Sequence, residues 1–178
     1  MSTVVLVDQG SLAVAAVSGP GRPSFDEFYR RDSASVYRSL SLALGDSELG
    51  RDATDEAMAR AYQHWRKISG YENPAGWAYR VGLNWARSRL RKRGREVVSD
   101  LEVDVGRAAS VFESSDDPGL RDALAQLPLK FRSVVVLRYL LDWSTADVAA
   151  ALGVAEGTVK SRLARALERL AVVLEEQS

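Results

Sequence analysis

Apolar residues recur at helical spacing in the first of two well-patterned stretches of the chain, residues 24–98. Ser24, with an acid three residues later, forms a capping-box pattern before the first predicted helix, which Gly45 ends. Asp46 can cap a second helix that continues to about Gly70. The residues predicted to face inward from this second helix are Leu49, Ala53, Ala57, Ala61, Tyr62 and Trp65.

A third helix is predicted from Asn73 at the cap and Pro74 in the first turn, and it runs until Gly94. Large aromatic residues interrupt its polar pattern. We expect Trp85 to belong to the core, whereas Trp77 fits either the core or stacking on an unpaired base. The three helices predict a compact amino-terminal unit.

The second patterned stretch, residues 118–178, begins helices at Pro118 and again after Pro128, and no alternating strand pattern of useful length appears. Between the two stretches, residues 99–117 are rich in Asp, Glu and Ser, which predicts a flexible acidic linker. Residues 1–23 are interpreted as a mobile tail. The predicted fold class is therefore all-α, with two small helical domains joined by this linker.

The clearest local pattern predicts a helix-turn-helix. Ser144 and Asp147 can box the start of a short helix, Gly153 permits a left-handed turn, and a second helix begins near Glu156. The residues predicted to pack on one face of this second helix are Val159, Leu163, Ala166, Leu167, Leu170 and Leu174. The residues on the opposite face, where DNA can be contacted, are Thr158, Ser161, Arg162, Arg165 and Arg169.

The formal net charge of zero conceals an uneven distribution. Residues 77–95 contain seven basic residues and no acid, whereas residues 96–122 contain eight acids and two arginines. A basic stripe therefore lies next to an acidic connector, which is either a mimic of a nucleic-acid backbone or a simple solvated tether.

Composition excludes several kinds of site. The chain has no cysteine and one histidine, His64, so it offers neither a thiolate zinc site nor a nucleophilic triad. Gly157 to Ser161 lacks the spacing of a phosphate-binding loop. We therefore expect no catalytic residues, no metal and no cofactor. Because no apolar run approaches the roughly 20 residues of a membrane span, we expect a cytoplasmic protein without direct membrane insertion.

Both patterned stretches resemble the extracytoplasmic-function (ECF) group of bacterial RNA polymerase sigma factors. The fourth conserved region of that group is closely similar to residues 127–139, 148–154 and 157–163. The second conserved region is similar to residues 25–31, 52–57 and 76–84. The resemblance implies a region-two domain over 24–98 and a region-four domain over 118–178, with the linker in place of a third region.

The resemblance also implies partners and site residues. Asp52, Asp55 and Glu56 would dock on the clamp coiled coil of core RNA polymerase, although Arg51 departs from the acid usual in the family. Region four would contact the polymerase flap. An anti-sigma factor is a further expected partner.

For DNA, the resemblance assigns one set of residues to each promoter element. The residues expected to melt and read the minus-ten element as a single strand are Arg80, Asn84, Arg87 and Arg91, with Asn84 and the loop 69–73 holding a flipped base. The residues expected to contact the double-stranded minus-thirty-five element are Thr158, Lys160, Ser161, Arg162 and Arg165.

Three other functions have to be compared with that of a sigma factor. A helix-turn-helix regulator that binds an operator without joining polymerase shares the carboxyl-terminal pattern but not the basic third helix. The groups that an enzyme would need are absent from this sequence. A helical adaptor that binds only proteins would not explain the two basic faces. Promoter recognition with core polymerase is the predicted function.

Overall fold

A computed structural model describes residues 21–93 and 118–176. Within these ranges the chain forms helices and no strand, which confirms the all-α fold class. The predicted linker 99–117 and most of the predicted tail 1–23 lie outside the described residues. The helices are α1 (Phe25–Leu44), α2 (Ser47–Gln63), α3 (Trp65–Ile68), α4 (Pro74–Arg93), α5 (Pro118–Ala125), α6 (Leu129–Val135), α7 (Thr145–Leu152) and α8 (Glu156–Glu176), with a π-helical turn at Val136–Leu140 between α6 and α7.

The predicted capping box begins α1. The backbone N–H of Glu27 donates to Ser24 Oγ at 3.2 Å, and the Ser24 N–H donates to the Glu27 carboxylate at 2.7 Å. Two amide groups that the first turn would otherwise leave unpaired are thus satisfied. Gly45 ends the helix in a left-handed conformation, as predicted.

The second helix ends earlier than the sequence pattern predicts. Asp46 caps α2 as expected, with Oδ1 accepting from the Leu49 N–H at 2.9 Å, but the helix stops at Gln63 because His64 leaves helical geometry at φ −113° and ψ 18°. The chain then turns into the short α3. Tyr62, predicted to face inward, is 67% exposed, because it lies one residue past the buried Ala61 and so points away from the packed face of the helix.

The break at His64 redirects Trp65 onto the start of α1. Its ring stacks on Phe28 with centroids 4.9 Å apart and meets Phe25 edge-on at 5.7 Å. The indole N–H donates to the Pro23 carbonyl at 3.0 Å. This packing buries the apolar ring of the tryptophan and gives its indole N–H a hydrogen-bond acceptor. Both contacts favour the turn at His64 over a continuous helix.

Helix α4 crosses α2 at close range because Gly82 faces it. A Cβ at Gly82 would stand 2.9 Å from the Ala53 carbonyl oxygen and 2.7 Å from Leu40 Cδ1. Asn73 begins α4 as predicted, its Oδ1 accepting from the Gly76 N–H at 2.7 Å. The absent side chain at Gly82 is therefore what lets α1, α2 and α4 share one core.

The carboxyl-terminal unit, α5 to α8, is organised around a buried arginine. Arg132 is 3% exposed, and its Nη2 donates to the carbonyls of Ala125 and Leu127 at 2.7 and 2.8 Å. Its Nη1 donates at 3.3 Å to the Ala43 carbonyl at the end of α1. One guanidinium thus joins the α5–α6 connection to the amino-terminal unit.

Candidate nucleic-acid interface

The helix-turn-helix forms as the sequence predicts. The Ser144 hydroxyl accepts from the Asp147 N–H at 3.0 Å, and Gly153 takes a left-handed conformation with φ 67°. The Val154 N–H donates to the Ala149 carbonyl at 3.0 Å, which closes the turn. Because caps and turn fix the path of the backbone, α8 is held at a defined angle to α7.

Most of the predicted faces of α8 are observed. Val159, Ala166 and Leu170 are buried, and Leu163 is half-buried. The prediction is wrong for Leu167 and Leu174, which are 41% and 36% exposed, because the buried stripe of α8 is narrow and both leucines lie at its edge. On the opposite face Lys160, Ser161 and Arg165 are exposed, whereas Thr158 and Arg162 are half-buried.

The polar stripe predicted on α4 is only partly exposed. Arg80, Asn84 and Arg91 are exposed, but Arg87 is half-buried. Its Nε is buried without a hydrogen-bond partner among the described residues. Burial lowers the pKa of Arg87; the nearby Tyr79 opposes that shift, and the charges of Arg162 and Arg91 add to it. An arginine remains charged despite such a shift, so a partly desolvated cation lies among other cations.

Aromatic residues flank this stripe. Trp85 is half-buried and packs against the core, with the Arg89 guanidinium 5.0 Å from its ring centroid. Trp77, left open by the sequence, is also half-buried and lines a cavity of about 320 Å³. The other residues lining this cavity are Tyr71, Glu72, Asn73, Gly76 and Arg80 from the amino-terminal unit and Asp147, Ala150 and Ala151 from α7.

The acidic surface on α2 is exposed at Asp52 and Asp55. Glu56 is half-buried and forms an ion pair with Arg60 one turn later, at 2.7 Å. Arg51 lies over the Tyr37 ring at 5.2 Å. Two of the three predicted polymerase-binding carboxylates are thus available to a basic partner, and the third already has one.

Among residues 21–93 and 118–176, no group of three acidic or histidine side chains is arranged to hold a metal ion. The same residues include no helix that is both long and apolar enough to span a membrane.

Comparison with known proteins identifies the family. A model described as Sigma-70 region 2 matches residues 28–96, and one described as Sigma-70, region 4 matches residues 119–170. The ECF RNA polymerase sigma factor SigL of Mycobacterium tuberculosis is 34% identical over 170 residues, which cover 92% of this chain and 94% of that protein. The chain belongs to the ECF group of RNA polymerase sigma factors.

Other members are similar to the same extent. ECF sigma factor SigM of M. tuberculosis is 34% identical over 163 residues, covering 92% of this chain and 83% of that protein. The RNA polymerase sigma-E factor of Streptomyces avermitilis is 35% identical over 156 residues, covering 85% of each. Since both regions match in order, this ECF sigma factor functions as an RNA polymerase sigma factor, and the operator-binding regulator is not favoured.

Solved structures have the same fold. The sigma factor RpoE of Bartonella quintana, crystallised with the anti-sigma factor NepR, superposes with a TM-score of 0.69 at 23% identity, covering 85% of this chain and 96% of that chain. CnrH, solved with the cytosolic domain of CnrY, gives a TM-score of 0.59 at 21% identity, covering 86% and 89% of the two chains.

Sequence reasoning missed the residues that join regions two and four of this ECF sigma factor. Tyr79 in α4 is fully buried, and its ring meets Trp143 edge-on at 6.4 Å. The Arg80 guanidinium lies over Gly153, 3.0 Å from where a Cβ would stand. Each pair is more than 60 residues apart, so no local periodicity could indicate it.

Proposed function

We propose that this sigma factor divides promoter recognition between α4, which reads the minus-ten element, and α8, which reads the minus-thirty-five element, while α2 holds core RNA polymerase. The observation that supports this division most strongly is α8 itself: Lys160, Ser161 and Arg165 are exposed in the first turns of a helix that a capped α7 and a left-handed Gly153 hold in place. That geometry presents donors to a major groove.

At the minus-ten element, Asn84 and the exposed arginines are proposed to bind the single strand. Asn84 offers an amide that both donates and accepts, so it can pair with a flipped base. Asn73 in the neighbouring loop is already engaged in capping α4, so its role is to fix the loop rather than to read the base. Arg80 and Arg91 supply positive charge to the phosphates.

On α2, Asp52 and Asp55 are proposed as the main contacts with basic residues of the polymerase clamp. Glu56 contributes less, because binding a partner would require it to exchange its ion pair with Arg60. The flap is assigned to region four on family resemblance.

The remaining assignments follow from the family. As a specificity subunit the chain has no catalytic activity of its own, and it works in the cytoplasm, where polymerase and chromosome meet. An anti-sigma factor is proposed as a partner, since RpoE was solved with the anti-sigma factor NepR and CnrH with the cytosolic domain of CnrY.

The test is transcription of genomic DNA from the source bacterium by its core polymerase, with and without the purified chain, followed by mapping of transcript 5′ ends. We expect new start sites that share two upstream elements. Asp52→Asn/Asp55→Asn should reduce polymerase binding, with Glu48→Gln, an exposed carboxylate in the first turn of α2, as the charge-matched control. Transcripts that are identical with and without the chain would refute the proposed function.

A further inference from the structure

We infer that Lys130 and Arg169 form a further DNA contact on region four: a site for one backbone phosphate at the edge of the groove that α8 enters. The two side chains are called the cation pair. Neither residue belongs to the set assigned to the minus-thirty-five element, and Lys130 lies on α6, outside the helix-turn-helix. The inference rests on the proposed function, because it takes the first turns of α8 as the part that reads the bases.

Both members of the cation pair lie over the same aromatic ring. The Lys130 Nζ is 5.3 Å from the centroid of the Phe131 ring, and the Arg169 guanidinium carbon is 4.9 Å from it. Phe131 is 4% exposed, so the ring is fixed in the core. A fixed ring restricts the positions that two long side chains can take, which lowers the entropy cost of holding a ligand between them.

The ring brings two like charges together without an acid to balance them. Neither Lys130 nor Arg169 forms an ion pair with an acid among the described residues. Arg169 is exposed and Lys130 is half-buried, so the cation pair is accessible from solvent. Two cations that share a ring repel each other, and an anion placed between them offsets that repulsion. The cation pair therefore favours an anionic ligand.

The position of Arg169 on α8 indicates which anion this is. Arg162, Arg165 and Arg169 are spaced i, i+3 and i+7, so they lie along one side of the helix. Arg169 follows Arg165 by four residues, which is about 6 Å along the helix axis. A recognition helix contacts base edges with its amino-terminal residues. The turn that carries Arg169 therefore passes the phosphates that border the groove.

A phosphate bound here would fix the register of region four on the duplex. Because α6 supplies Lys130 and α8 supplies Arg169, one phosphate would hold both helices against the DNA backbone. Phosphate contacts orient a protein on DNA, whereas base contacts carry the sequence information. The cation pair should therefore strengthen binding to any duplex equally and leave the choice of bases to the first turns of α8.

The salt dependence of DNA binding tests the inference on the full chain. Lys130→Gln/Arg169→Gln is compared with the parent chain by fluorescence anisotropy, on an upstream element from the transcript mapping and on a scrambled duplex. One neutralised phosphate contributes about 0.9 to the slope of log affinity against log salt. A fourfold rise in salt should therefore weaken the parent about 3–4-fold more than the variant, equally on both duplexes.

The control removes the same charge from a surface that is not proposed to bind DNA. Arg30→Gln/Arg38→Gln neutralises two exposed cations of α1. This variant should keep the salt slope of the parent chain, because a change in net charge alone releases no counterion from a specific phosphate.

A second measurement locates the phosphate. Each phosphate of the matched duplex is replaced in turn by an uncharged methylphosphonate. We expect one position at the edge of the groove where this replacement weakens binding of the parent chain and leaves binding of Lys130→Gln/Arg169→Gln unchanged. Phe131→Leu keeps both charges and an apolar side chain in the core. It should reduce the effect at that position without changing the preference for the matched duplex, whereas a loss of folding would not select one phosphate.

The outcomes separate this inference from the proposed function. Equal salt slopes for the parent and Lys130→Gln/Arg169→Gln, or identical methylphosphonate profiles, overturn the inference. A loss confined to the matched duplex also overturns it, because it assigns the cation pair to bases. If the parent binds matched and scrambled duplexes equally, the proposed reading by α8 fails, while the methylphosphonate profiles still show whether the cation pair holds a phosphate.

Discussion

At the scale of single residues, Gly82 sets how closely α4 approaches α2. Gly82→Ala places a methyl group against the Ala53 carbonyl and Leu40, and we expect a loss of about 1–3 kcal/mol in the free energy of unfolding because the crossing is already packed. Urea denaturation followed by circular dichroism measures it.

The chain offers a matched control for that substitution. Gly157, in the first turn of α8, has open space where a Cβ would stand, so Gly157→Ala should stabilise by about 0.5–1 kcal/mol through helix propensity alone. Equal effects of the two substitutions would contradict the role given to Gly82.

We predict that Asn84 is needed for promoter melting. Asn84→Ala removes an exposed amide without touching the core, so closed-complex binding should persist while opening falls. Permanganate reactivity of unpaired thymines reports opening, and gel shift reports binding. The control is Asn84→Gln, which keeps the amide on a longer stem. Normal promoter melting by Asn84→Ala would show that Asn84 does not belong to the minus-ten site.

At the scale of whole elements, α8 begins without a side-chain cap. The Ala155 carbonyl accepts from the Thr158 and Val159 amides, which places Ala155 at the cap position, yet its methyl group accepts nothing. Ala155→Ser should therefore stabilise region four by about 0.5–1 kcal/mol, and Ala155→Gly by a few tenths of a kcal/mol less than the serine. Thermal unfolding distinguishes them, and a serine variant no more stable than the parent would argue against this start of the helix.

The exposed face of α8 carries the prediction for upstream recognition. Arg165→Ala should weaken binding to the matched minus-thirty-five element by ~1–3 kcal/mol, because an arginine can contact a guanine edge through two donors. Fluorescence anisotropy with matched and scrambled duplexes measures the difference. Arg165→Lys, which keeps the charge but not the paired donors, should lose specificity and retain binding to the scrambled duplex. An equal loss on both duplexes would show a phosphate contact only.

At the scale of the whole molecule, Trp143 lies where region four contacts region two. Trp143→Ala removes the edge-on contact with Tyr79, worth about 0.5–1.5 kcal/mol, and should lower the free energy of unfolding by at least that amount. Urea denaturation followed by circular dichroism measures the loss. Val172→Ala, at an exposed position late in α8, should change stability by less than about 0.5 kcal/mol. Equal stability of the two variants would be evidence that this contact does not hold the units together.

The sequence predicts the elements better than it predicts their assembly. The capping boxes at Ser24 and Ser144 and the turn at Gly153 are local, so the residues alone are enough to recognise them. The break at His64 depends on where Trp65 packs, and the burial of Tyr79 depends on another domain. Contacts between residues far apart in the chain leave no periodicity to detect. For that reason the pattern predicts a uniformly exposed stripe on α4, part of which region four covers.

The position of two tryptophans between the units has a practical consequence. Trp143 lies against Tyr79, and Trp77 lines the cavity between the units, so two of the four tryptophans report on the contact between regions two and four. Loss of that contact would transfer both indoles into water and shift their emission to the red. The unmodified protein thus contains its own optical reporter, which allows the contact to be followed in real time without a dye.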